Sequence, residues 1–123
     1  MTAAAAIYLA LAAAFFAPAD QHGARLVPLT IHSQAVWRKL GVSVVLPAKT
    51  KPRGRRPLLV FLHGRGGSDV TFASNEAVFE GVAQLGRKAP VIAFPDGGVH
   101  SYWHDRNDGA WGRYVSCDRG LPL

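Results

Sequence analysis

The most constraining stretch is Pro57-Leu58-Leu59-Val60-Phe61-Leu62-His63-Gly64-Arg65-Gly66-Gly67-Ser68-Asp69, six apolar residues running without a break into a glycine-rich turn. A strand with no polar alternation has no solvent side, so the run predicts a central parallel strand buried on both faces. The glycines allow backbone angles closed to other residues and let the main chain approach a ligand closely. They also leave the N–H groups of Arg65, Gly66 and Gly67 unencumbered. Donors at the carboxyl end of such a strand are where α/β enzymes hold developing negative charge, so the turn reads as an oxyanion-hole loop.

The remaining elements fit around that strand. Arg25 to Ser33 alternates loosely, Ser33-Gln34-Ala35 gives a turn, and Val36 to Leu46 is rich in β-branched residues before Pro47. This predicts an antiparallel hairpin at a sheet edge, where Pro28 is tolerated because no ladder donor is needed there. After the glycine turn, Val78, Gly81, Val82 and Leu85 fall at helical spacing, with Ser74 as N-cap, Arg87 and Lys88 at the carboxyl end and Pro90 as the stop. Val91 to Pro95 is a second short apolar run, ending in Asp96-Gly97-Gly98. Strand, glycine turn, helix and strand make a βαβ unit and require a parallel pair. The class is therefore α/β, with an antiparallel hairpin leading into parallel strands joined by a crossover helix.

With 123 residues the chain has room for one small domain, and 18% charged residues suit a packed core. Much of the net charge of +6 comes from Lys49, Lys51, Arg53, Arg55 and Arg56. Broken by Pro52, Gly54 and Pro57 and free of aromatics, that cluster reads as a solvated loop, and no nucleic-acid partner is expected. Cys117 is the single cysteine, which excludes an internal disulfide. Residues 3–19 are uncharged and alanine-rich and end in Ala17-Pro18-Ala19. They predict a signal peptide cleaved after Ala19, hence a secreted or periplasmic chain with no stable membrane span after cleavage.

Between Val99 and Val115 the chain crowds His100, Tyr102, Trp103, His104, Asp105, Arg106, Trp111 and Tyr114. Trp103 and Trp111 either form a substrate rim over the sheet or pack a long loop against it. His100 and His104 are four apart, but in a loop with no further soft ligand they make no metal site. The glycine spacing fits neither dinucleotide nor P-loop binding, and no cofactor is expected.

Taken together, Leu62-His63-Gly64-Arg65-Gly66-Gly67, Phe94-Pro95-Asp96-Gly97-Gly98, Ser101-Tyr102-Trp103-His104-Asp105-Arg106 and Trp111-Gly112 resemble the secreted α/β-hydrolase esterases. That family includes the antigen 85 mycolyltransferases and the S-formylglutathione hydrolases of the esterase D type. The resemblance runs from about Val27 to Val115. It implies a larger, mostly parallel sheet and acyl transfer from a small-molecule or lipid ester. It places an oxyanion-hole N–H on Arg65 or Gly66, with His63, Gly64, Trp103 and Asp105 as candidate substrate-facing residues. His63 can equally serve by hydrogen bonding within the turn, and Trp103 and Asp105 by holding their loop.

One departure from the family is decisive. Its nucleophile sits in a G-x-S-x-G elbow, and none of the six serines does so. Gly41-Val42-Ser43 lacks the final glycine and falls mid-strand, while Ser68 belongs to the glycine turn. Residues 116–123 also lack helical periodicity where the family pattern leads into a helix, which suggests a truncation or reading-frame shift near Val115. The expectation is thus a fragment of an exported carboxylic-ester hydrolase, residues 20–115 being the N-terminal portion of its domain, without a catalytic triad and inactive alone. The alternatives are a non-catalytic secreted module binding lipid or glycan, or a pseudogene product.

Overall fold

Two nine-residue strands, β1 (Arg25–Ser33) and β2 (Arg38–Leu46), form the expected hairpin, paired antiparallel from Arg25 opposite Leu46 to Ser33 opposite Arg38. The computed structural model describes residues 21–51, 54–100 and 102–117; the signal-peptide reading of residues 1–19 and the tail from 118 onward lie outside them. In β1, Val27, Leu29, Ile31 and Ser33 point inward, while Pro28, Thr30 and His32 face solvent. One buried face and one wet face is what period-two alternation encodes. The turn is longer than predicted. Val36 belongs to it rather than to β2, because its N–H bonds Ser33 Oγ at 3.3 Å and its side chain is buried.

Strands β3 (Leu58–Val60) and β4 (Val91–Pro95) pair in parallel, Leu58 opposite Val91. The sheet order is β1-β2-β4-β3, with β2 and β4 antiparallel. This corrects the expectation for the apolar run. Among the described residues β3 is the outer strand, and Leu58, Leu59, Phe61 and Leu62 are all exposed rather than buried on both faces. The ladder continues one step past β3, where the Phe61 N–H donates to Ala93 O at 2.8 Å. The central strand of the β3–β4 pair is β4, of which Ile92, Ala93, Phe94 and Pro95 are all buried.

Both faces of the sheet carry helices, as a parallel pair requires. On one face, α1 (Val70–Ala73) and α2 (Glu76–Leu85) bring Ala73, Phe79 and Val82 against Val45, Ile92 and Phe94. On the other, α3 (Trp111–Cys117) packs Trp111 and Tyr114 against Val27, Leu29, Ile31, Val42 and Val44. The α2 stripe is shifted from the predicted one: Phe79 is buried and Leu85 is exposed. The cap is Asn75 rather than Ser74, its side chain accepting the Ala77 N–H at 2.9 Å. Ser74 is instead the C-cap of α1.

Arg87 and Lys88 lie in a 3-10 turn after α2, and a different cation serves that end. Arg56 donates to Ala89 O at 2.9 Å, Gly86 O at 3.4 Å and Ala48 O at 3.1 Å. One arginine of the basic segment therefore ties it to the end of the crossover rather than standing in solvent. A two-stranded ribbon, β5 (Asp105–Arg106) with β6 (Gly109–Ala110), precedes α3. Among the described residues no helix is long and apolar enough to cross a membrane.

Candidate functional site

The chain leaves β3 through His63 and then reverses at Gly64-Arg65-Gly66-Gly67. The Gly67 N–H donates to Gly64 O at 3.0 Å and Gly66 holds φ 79. A positive φ at the third position of a closed four-residue turn is the type II signature, which needs glycine there and accepts most residues, proline included, at the second. Arg65 occupies that second position.

The three candidate donors are thereby separated. The Gly66 N–H is engaged with Val99 O at 2.8 Å and the Gly67 N–H closes the turn. Among the described residues the Arg65 N–H meets no acceptor, and Arg65 is exposed. The reading that left Gly66 free is corrected by a residue 33 positions away. Nothing in the local sequence signals that contact.

His63 holds this turn against the end of β4. It is 3% exposed; its Nδ1 donates to Gly64 O at 2.8 Å and its Nε2 accepts the Gly97 N–H at 2.9 Å. Nε2 thus presents a lone pair, so its 3.6 Å approach to Asp96 Oδ1 is not an ion pair in this tautomer. Asp96 instead accepts the Gly98 N–H at 2.8 Å, and its own N–H donates to Gly41 O at 2.9 Å. Trp103 completes the lock. Its indole N–H donates to His63 O at 3.0 Å and its ring meets the imidazole edge-on at 5.2 Å.

A Cβ at Gly97 would stand 2.5 Å from the Trp103 ring, so only glycine lets the indole lie there. Gly97 and Val99 both hold this turn, and the sequence alone left them without a role. The Gly97-Gly98 pair after β4 was the available signal.

Asp69, the last residue of the opening stretch, occupies the N-cap position of α1 without a capping bond. Its carboxylate accepts the Ser43 hydroxyl at 3.0 Å instead.

Trp103 also lines an open cleft of about 520 Å³, with His104, Asp105, Gly112, Arg113 and Ser116. Asp105 accepts the Arg113 N–H at 3.2 Å, satisfying a first-turn donor of α3. The fold thus joins His63, Gly64 and Trp103 in one hydrogen-bonded unit and places Asp105 in the adjoining cleft. Trp111 is elsewhere. At 2% exposure it lies in the core, with Arg38 and Arg106 stacked on its ring at 5.4 and 5.2 Å, so it is packing and not rim.

Solved structures share this architecture. A ferulic acid esterase superposes with a TM-score of 0.67 at 18% identity, covering 76% of this chain. The apoenzyme of the S-formylglutathione hydrolase FrmB from Staphylococcus aureus superposes with a TM-score of 0.50 at 17% identity, covering 75%. The chain spans 39% of the length of each. No protein-family model matches the sequence, and no curated protein does. At these identities the likeness is one of fold: the chain has part of the α/β fold of those two structures.

Proposed function

We propose that this chain is an exported portion of a serine-type carboxylic-ester hydrolase, providing the oxyanion side of the site and no nucleophile. The observation that carries the reading is the Arg65 N–H, left without an acceptor in a type II turn that His63 and Trp103 clamp to the end of β4. In acyl transfer from an ester, a serine attacks the carbonyl carbon and negative charge gathers on the carbonyl oxygen. A preorganised backbone donor aimed at that oxygen stabilises the transition state more than the ground state.

The attacking serine needs a G-x-S-x-G elbow, which this sequence lacks. The chain alone therefore hydrolyses no ester. Trp103 would border the acyl or alcohol group, as it faces the cleft while its N–H holds the turn. Export rests on the uncharged Ala3–Ala19 segment and its Ala17-Pro18-Ala19 end.

The test is serine-directed fluorophosphonate labelling, together with p-nitrophenyl ester turnover. Both are run on the 123-residue chain and on the product of the same locus read past codon 123 in each frame. Labelling and turnover are expected only where a longer product adds a serine elbow. In that product Arg65→Pro should lower kcat by about 10²–10³, the effect of removing one oxyanion donor. Labelling of the 123-residue chain, a longer product that turns over no ester, or an Arg65→Pro variant of full activity would each sink the proposal.

A further inference from the structure

The short 3-10 turn at Gln21–Gly23 lies against α2 and shares no residue with the turn and cleft described above. It brings His22 to Glu76 and Glu80. One ligand atom from each of the three lies within 4.8 Å of the others, and all three side chains are exposed. Glu76 and Glu80 are four residues apart and share a helix face, where like charges repel and weaken the helix.

This chain has fourteen Lys and Arg against eight Asp and Glu. Yet among the described residues the one ion pair is Arg106–Asp108, His63 approaching Asp96 only as a neutral ring, and neither glutamate has a lysine or arginine partner. The helix dipole favours Glu76 in the first turn of α2 but does little for Glu80 a turn further in. A basic protein thus sets two carboxylates side by side and faces them with an imidazole instead of a lysine or arginine.

We propose that His22, Glu76 and Glu80 bind a first-row divalent metal ion, with Zn²⁺ as the probe, and that the ion ties the segment before β1 to the crossover helix. One imidazole nitrogen and two carboxylate oxygens are Zn²⁺ ligands at about 2.0–2.2 Å. Two ligands in a tetrahedral set at that distance stand about 3.4 Å apart. Small rotations of exposed side chains close the observed separation. Water completes the coordination on the open side. The imidazole selects against Mg²⁺ and Ca²⁺, which take all-oxygen sites. The ion turns the repulsion between Glu76 and Glu80 into a shared attraction, so binding stabilises the fold. None of this depends on the proposed esterase role.

The test uses the full 123-residue chain, stripped of metal and titrated with Zn²⁺ in competition with a chromophoric chelator, with thermal unfolding followed in parallel. One ion per chain is expected, with Tm raised by about 5 °C at saturation. His22→Ala and the double variant Glu76→Gln/Glu80→Gln should each weaken binding by about tenfold or more and abolish the Tm shift. His100→Ala/His104→Ala should bind as the parent does, and millimolar Mg²⁺ or Ca²⁺ should not displace Zn²⁺. The proposal fails if no Zn²⁺ binds at tens of micromolar or if binding survives both the His22 and the glutamate variants. Binding that is lost with His100 and His104 instead also overturns it.

Discussion

Among the described residues β1 and β3 each pair on one side only, yet one is made for that position and the other is not. β1 buries Val27, Leu29 and Ile31, turns Pro28, Thr30 and His32 outward, and is matched along nine residues by β2. Proline and polar side chains on the open side are how natural sheets blunt an edge. β3 is three residues long, and its ladder reaches one step further, to Phe61. Leu58 and Leu59, which point to opposite faces, are 38% and 48% exposed. Phe61 and Leu62 extend the same open apolar stretch. An uncharged run of this kind on a free edge invites pairing with another strand. The difference teaches that the composition of a strand records the neighbours it is built for, and β3 is built for neighbours on both sides.

Substitution at the two edges tests this directly. Ile31→Ala on β1 should lower unfolding free energy by about 2–4 kcal/mol in a denaturant titration, because it opens a cavity at a position 1% exposed. Leu59→Ala on β3 should cost less than about 1 kcal/mol and reduce aggregation. Equal costs at both sites would erase the distinction between the edges.

If β3 is held chiefly at its end, His63→Ala should be severe, at about 2–4 kcal/mol. It strands the buried Gly97 N–H and removes a packed ring. Trp103 fluorescence should shift red in that variant, and an unchanged emission would show that the clamp does not depend on the imidazole.

Gly97→Ala should cost about 1–3 kcal/mol by displacing the Trp103 indole. Suppressing that cost with Trp103→Phe would identify the indole as the clashing group. The smallest effect is expected from Arg65→Pro, within about 0.5 kcal/mol of the parent. The second position of a type II turn accepts proline, and the lost N–H had no acceptor among the described residues.

Much of this was legible in the sequence because it is local. The alternation of β1, the β-branched run of β2 and the Val91–Pro95 strand each report their own element, and the His63-Gly64 turn announced itself by its glycines. What was not legible depends on distant partners. Periodicity shows that Leu58 to Leu62 wants burial but not that β4 lies inside it and open solvent outside it. Ser74 and Asn75 are both competent caps, and only the path of the chain out of α1 decides for Asn75. Gly66 reads as a free donor until Val99 O arrives from beyond β4. The two tryptophans were indistinguishable by composition. One stacks under Arg38 and Arg106 in the core, and the other stands at the turn because Gly97 makes room.

The spacing of the paired strands carries a kinetic meaning. β1 and β2 are joined by four residues, so their ladder can zip from a closed turn, whereas Leu58 must find Val91 across 33 positions. In amide exchange the hairpin should behave as one late-opening unit, and Leu59 and Phe61, whose N–H groups face β4, should exchange early, through fluctuations that leave the hairpin intact. The donor proposed at Arg65 would therefore ride on the part of the sheet expected to open first, and its usefulness as a fixed dipole would be set by the lifetime of the β3–β4 pairing.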